Sequence, residues 1–286
     1  MEREQKRAVE YLISVAELNS VVSHDSIKKQ DHILIVDTRP FLDYLDGHIP
    51  GSINLDLMQF HWLDTSLTGI KQFNRQCRQL ITNIGVEGKN RVIFYDDISG
   101  PSAARGLWLL LYFSYKNVAI LDGGFGKWKE MGYRIETQTN QFEYRKFHGL
   151  VNPNVLSTSH EIVSVIKAGK NGKVSIIDSR SKAEFDGTVV RGGRKGHIPN
   201  AIHIDWKENL TNGVFKAFTD LDRVYSDIPK NNEIIAYCQG GYRAANTFLA
   251  LRLLGYKKVK VYLGSWGEWS SRYKLPVEDS KMTLTR

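Results

Sequence analysis

The sequence predicts an α/β protein of two tandem domains, each a parallel sheet flanked by helices. Three observations carry this. The 286 residues are enough for about two domains with substantial cores. Short β-rich runs alternate with helical patterns through both halves, the signature of parallel strands with crossover helices. Above all, the second half repeats the first motif by motif, and an internal repeat is the strongest organisational signal a sequence carries.

The repeat justifies the elements in order. Ser14-Val15-Ala16-Glu17 and Thr158-Ser159-His160-Glu161 each read as a capping box that starts a helix. Ile35-Val36-Asp37-Thr38-Arg39 and Ile176-Ile177-Asp178-Ser179-Arg180 are apolar runs ending in Asp-x-Arg, as buried parallel strands do when they meet a polar sheet edge. Gly47-His48-Ile49-Pro50 recurs as Gly196-His197-Ile198-Pro199, and Val118 to Trp128 recurs as Val259 to Trp269. Between its Asp-x-Arg and Gly-His-Ile-Pro motifs the second half carries an insertion containing Arg191-Gly192-Gly193-Arg194-Lys195. The join lies in the polar, turn-rich stretch Gln138 to Pro153, which predicts a domain over 1–140, a linker over 141–153 and a second domain over 154–286.

Composition sets bounds on function. Charged residues at 24% and hydrophobic ones at 42% are ordinary for a globular chain. The net charge of +8 comes from scattered Lys and Arg, so it reads as solvated surface with some attraction for small anions, not as a nucleic-acid patch. The start is charged and lacks an apolar core of signal-peptide type. The apolar run Leu107 to Phe113 is too short to span a bilayer. No membrane, no nucleic acid and a cytoplasmic location are the expectation. The two cysteines, Cys77 and Cys238, sit in different halves, which argues against a disulfide framework. No His/Cys cluster has metal-ligand spacing and no Gly-rich loop fits a nucleotide, so neither metal nor cofactor is expected.

The chemistry concentrates in Tyr237-Cys238-Gln239-Gly240-Gly241-Tyr242-Arg243, between the apolar run Ile234 to Tyr237 and the helix-like stretch Ala244 to Leu254. A strand, a Gly-containing bend and a helix put Cys238 at a strand end just before a helix N-terminus. Unpaired amides and the helix dipole favour negative charge there, so a thiol among them is expected to ionise below the free value of about 8.5. Gly240 and Gly241 allow the backbone to curl into an anion-binding nest, and Arg243 adds a positive charge where the loop closes. An isolated strand-end Cys is more often inert core; the two glycines, the Arg and the helix reverse that. Cys77, in the helix-like stretch Phe73 to Ile81, has no nest and reads as packing.

Phosphatases that use Cys and Arg around a phosphate have a longer loop between them. The space enclosed here suits a single sulfur atom better. With its short loop opening on Cys after a strand, its Asp-x-Arg, Gly-His-Ile-Pro and closing Gly264-Ser265-Trp266-Gly267-Glu268-Trp269, the sequence resembles the rhodanese (thiosulfate sulfurtransferase) family over roughly residues 10 to 278. The resemblance implies two tandem rhodanese-like domains, the first inactive. Asp96 stands where Cys238 would be, after Tyr95 as Cys238 follows Tyr237.

The repeat also acts as a control. His48, His197, Asp37, Asp178, Arg39 and Arg180 occur in both halves, whereas the thiol occurs in one, so these are expected to be scaffold. Unique to the second half are Cys238, the loop Gln239 to Arg243, and the basic insertion. In the mercaptopyruvate branch of the family an Arg in a comparable stretch contacts the substrate carboxylate, which makes Arg191 and Arg194 candidate donor clamps. Glu184 departs from the vertebrate pattern, where a second substrate Arg stands. The expected reaction moves sulfane sulfur from thiosulfate to cyanide or a thiol through a persulfide on Cys238. The charge of Arg243 favours the dianionic donor over 3-mercaptopyruvate, the alternative. A Cys-dependent phosphatase or arsenate reductase, and a non-catalytic sulfur-binding module, are the readings from other classes.

Overall fold

The computed structural model describes residues 11–23, 33–88, 90–169 and 173–279. The chain divides into two compact units, and each draws one short segment from the other half of the chain. One unit holds the described residues of Met1–Phe60, Gln72–Asn152 and Leu210–Lys216. The other holds those of His61–Lys71, Pro153–Asn209 and Ala217–Arg286.

The first unit alternates β1 (Leu12–Ser14), α1 (Val15–Val22), β2 (Ile33–Asp37), α2 (Phe41–Asp46) and β3 (Ile53–Asn54). After α3 (Leu67–Asn83), which begins in the segment assigned to the other unit, come β4 (Arg91–Tyr95), α4 (Pro101–Tyr112), β5 (Val118–Asp122) and α5 (Gly124–Glu130). Its five-stranded sheet is parallel throughout, in the order β1-β5-β4-β2-β3. The second unit follows with β6 (Leu156–Ser157), α6 (Ser159–Ala168), β7 (Val174–Asp178), α7 (Lys182–Phe185) and β8 (Ile202–His203). The hairpin β9 (Leu210–Thr211) and β10 (Val214–Phe215) belongs to the first unit and is antiparallel. Then come α8 (Phe218–Val224), β11 (Glu233–Tyr237), α9 (Tyr242–Leu253), β12 (Val259–Tyr262) and α10 (Ser265–Ser271). The second sheet is again parallel, in the order β6-β12-β11-β7-β8. The two sheets are therefore one topology used twice.

The strands form where Val, Ile and Leu run without interruption, because helices cover both sheet faces. Ile35, Ile93 and Leu121 bury against Phe125 and Trp128 in the first unit. Ile176, Ile235 and Tyr262 bury against Trp266 and Trp269 in the second. Truncating one such aromatic to Ala costs about 3–5 kcal/mol.

The helix starts follow the sequence with one difference. Ser14 and Glu17 form the reciprocal capping box, whereas Thr158 accepts from the Glu161 amide without the return bond. The Glu161 carboxylate instead meets Lys260 Nζ at 2.5 Å, and Lys260 also holds Glu233 at 2.6 Å.

Candidate active site

Both units build the same frame around the end of their central strand. Arg39 donates to both carboxylate oxygens of Asp37 and, through Nη2, to Gly47 O at 2.7 Å. Arg180 repeats this with Asp178 and with Gly196 O at 2.8 Å. The Ile49 and Ile198 amides donate to the hydroxyls of Tyr95 and Tyr237 at 3.1 Å each. His48 Nδ1 lies 2.8 Å from Tyr44 O, and His197 Nδ1 lies 2.9 Å from Phe185 O. Asp-x-Arg and Gly-His-Ile-Pro are thus one interlocked device that fixes the tyrosine preceding the loop. The frame is duplicated, and each histidine directs Nδ1 to a backbone carbonyl.

The Gly-rich closing motif completes it. At the N-terminus of α10 the amides of Trp266 and Gly267 donate to the carbonyls of Cys238 and Gln239, both at 2.9 Å. In the first unit Phe125 and Gly126 do the same for Asp96 and Asp97, at 2.8 and 2.9 Å. A methyl on Gly267 would stand 3.0 Å from Gln239 O, so glycine lets this helix end press against the loop.

What the frame presents differs. In the first unit it presents a carboxylate. Asp96 Oδ1 accepts from the Ile98 and Gly100 amides at 3.2 and 3.0 Å, and Oδ2 from Ser102 and Ala103 at 3.1 and 3.2 Å. The junction is an anion nest filled by its own side chain. Burial pushes this carboxyl up to about 6, against the pull of those four bonds.

In the second unit the same place holds Cys238, which is 1% exposed. Its Sγ accepts the Gly241 amide at 3.2 Å, and its own amide donates to Ser265 Oγ at 3.2 Å. Gly241 caps α9 with φ +88°, a left-handed conformation that costs an L-residue about 1–2 kcal/mol. That turn aims the amide back at the sulfur. Tyr242 begins α9 and Gly240 lies at the loop crest between Gln239 and Gly241.

Arg243 sits in the first turn of α9 and forks onto Glu184, with Nη1 and Nη2 at 2.6 and 3.0 Å from the two carboxylate oxygens. Burial pulls the guanidinium's pKa down, but the bond to Glu184 and the charge of Cys238 hold it above the usual arginine range. Burial works to raise Glu184, yet the Arg243 bond and charge, with Ser181, hold it down at about 2. The glutamate that departs from the vertebrate pattern is therefore the partner of the loop arginine.

The basic insertion splits. Arg191 is exposed, and its carbonyl accepts Gln239 Nε2 at 3.2 Å, which sets it beside the loop. Arg194 donates to the carbonyls of Trp269, Ser270, Arg272 and Leu275 at 2.8–3.1 Å. Its guanidinium satisfies the C-terminal end of α10. Cys77 lies in α3 and is fully buried, and burial pushes its thiol up despite Arg105 nearby. Among the described residues no group of three or more His, Cys, Asp or Glu is placed to hold a metal. No described helix is long and apolar enough to cross a membrane.

A frame that closes twice on Asp-x-Arg and Gly-His-Ile-Pro, with one thiol set in a helix-mouth loop, defines a rhodanese-type protein. The rhodanese-like domain model matches residues 21–131 and again 163–272, so the chain belongs to the rhodanese family. It is 31% identical over 244 residues to 3-mercaptopyruvate sulfurtransferase of Escherichia coli (strain K12), covering 84% of this chain and 86% of that protein. It is equally 31% identical over 249 residues to thiosulfate sulfurtransferase of Corynebacterium glutamicum, covering 83% and 81%. Among solved structures, wild-type EanB superposes with a TM-score of 0.82 at 19% identity, covering 96% of this chain and 70% of that one, a likeness of fold.

Proposed function

We propose that this chain is a sulfurtransferase that carries sulfane sulfur from thiosulfate to a thiol or cyanide as a persulfide on Cys238. The observation that carries this reading is the Cys238 sulfur at the mouth of α9, facing the Gly241 amide at 3.2 Å. The sulfurtransferase names of two relatives at 31% identity support it.

The Cys238 thiolate attacks the outer sulfur of thiosulfate. The bond between the two sulfurs of the donor breaks, and sulfite leaves with the electron pair. The persulfide anion then stands where Asp96 holds its carboxylate in the other unit, a place whose backbone geometry stabilises negative charge. An acceptor takes the outer sulfur and frees the thiolate, a two-step covalent cycle with ping-pong kinetics. Arg191, exposed beside Gln239, is the group proposed to meet the donor anion.

A specific observation favours 3-mercaptopyruvate as a second reading. Glu184 neutralises Arg243, so the loop end offers a dianion less net charge than Arg243 alone implies. Comparing kcat/KM for the two donors with one acceptor decides between them, because that ratio measures relative transition-state binding. Thiosulfate is expected to be the better donor, and an advantage of about tenfold or more for mercaptopyruvate would overturn the choice.

A further inference from the structure

The unit that carries Cys238 also holds a cavity of about 620 Å³, within the roughly 300–1,000 Å³ of small-ligand sites. Its described lining residues all belong to that unit, and none belongs to the Cys238 loop. Val165 and Ile166 of α6, Val174 of β7 and Ile202 of β8 wall it with hydrocarbon. His197, Asn200, Ala201 and Glu278 form its polar side.

The repeat shows the polar corner of this cavity in a filled form. Tyr44 stacks on His48 with ring centroids 3.7 Å apart, as Phe185 stacks on His197 at 3.7 Å. Glu136 bridges His48 as Glu278 bridges His197. In the first unit Asn140 closes the corner. Its Nδ2 donates to Ser52 O at 2.9 Å and to Glu136 Oε1 at 2.5 Å, and its backbone amide donates to the Tyr44 hydroxyl at 3.1 Å. That hydroxyl in turn donates to Ser52 O at 2.8 Å. The second unit keeps the acceptors and drops the donors. Ala201 stands in the place of Ser52 and Phe185 lacks the tyrosine hydroxyl. Among the described residues, no side chain takes the part of Asn140 at Ala201 O and Glu278.

We propose that this cavity binds a small primary amine, with its ammonium at Glu278 and its hydrocarbon tail against Val165, Ile166 and Val174. The Phe185 carbonyl can only accept, so His197 Nδ1, at 2.9 Å, carries the ring proton, and Nε2 of the neutral ring is an acceptor. Nε2 lies 3.9 Å from Glu278 Oε2. With Ala201 O, the corner that Asn140 fills in the first unit therefore offers a carboxylate, an imidazole nitrogen and a carbonyl. An ammonium matches this set, having three donors and no acceptor, and its bond to a carboxylate is charge-assisted. A carboxylate ligand would meet Glu278 as a like charge. The donors that could receive one are engaged: Asn200 N by Glu278 Oε2 at 3.0 Å, Asn232 Nδ2 by Ser175 Oγ at 3.1 Å, and Lys195 Nζ by Asp279 at 2.7 Å.

The test titrates the whole chain with hexylamine at pH 7, by calorimetry and by amide NMR shifts. One saturable site is expected, with a Kd on the order of 1 mM and shifts centred on Ala201 and Glu278. Propylamine, with a shorter tail, should bind about tenfold or more weakly, and hexanoate should not bind. Glu278→Gln should weaken hexylamine about tenfold, and Ile166→Trp, which fills the cavity, should abolish its binding; urea unfolding checks that each variant is folded. No saturation by hexylamine, equal binding of hexanoate, or unchanged binding in Glu278→Gln or in folded Ile166→Trp would overturn the site. If Ile166→Trp does not fold, Glu278→Gln and hexanoate decide. None of these outcomes touches the persulfide reading, which is tested separately.

Discussion

Arg243 and Glu184, far apart in the sequence, form a two-pronged ion pair with contacts of 2.6 and 3.0 Å between α9 and α7. Glu184 is almost fully buried and also closes a capping box with Ser181. The loop that carries Cys238 is thereby tied to the start of α7 by a charge pair of low exposure. Removing one partner of such a pair leaves the other buried and uncompensated, which costs about 3–5 kcal/mol.

Glu184→Gln should therefore destabilise the fold in a pH-dependent way. The folded carboxyl is held at about 2 against a usual 4.5, so the folded state binds fewer protons than the unfolded one. Its contribution is complete above 4.5 and is lost as pH falls through about 2. The lowering corresponds to about 3 kcal/mol at neutral pH. Urea unfolding of wild type and variant at pH 7 and pH 3 checks this; the gap should narrow at the lower pH, and a gap that widens would contradict the pairing.

Gly241→Ala should impair chemistry more than its modest size suggests. The left-handed backbone at φ +88° costs alanine about 1 kcal/mol or more, and relaxing it turns the amide away from Sγ. Persulfide formation in a single turnover should slow, while thermal unfolding shifts only a few degrees for about 1 kcal/mol. Unchanged persulfide formation would show that this amide does not matter.

Much of this arrangement is legible in the sequence because it is written twice. The repeat reveals the two parallel sheets, and the presence of His48 beside a loop without a thiol is the signal that sets His197 with the shared frame. Cys238 stands out because Gly241 and a following helix are local signals. Contacts between distant stretches leave no such trace. Nothing in the sequence pairs Glu184 with Arg243, brings His61 to Gly240, or commits Arg194 to the end of α10 while Arg191 stays exposed. Nor does it assign Leu210–Lys216 to the first unit, where the Ser99 amide donates to Gly213 O at 2.8 Å and the Phe215 amide to Asp122 Oδ1 at 3.0 Å.

The short loop bears on the choice of substrate, because its Gly241 amide is already turned onto Sγ at 3.2 Å. Nitrophenyl phosphate should not be hydrolysed at a rate comparable with sulfur transfer. Hydrolysis lost in Cys238→Ser would favour the phosphatase reading instead.

The central claim is that Cys238 carries the sulfur, and mass spectrometry of the intact protein after incubation with thiosulfate tests it most directly. The protein and its Cys77→Ser variant should each gain about 32 Da, one sulfur atom, mapped to the peptide holding Cys238. Cys238→Ser should gain nothing and should transfer no sulfur. A gain that persists in folded Cys238→Ser, or that maps to Cys77, would contradict the account.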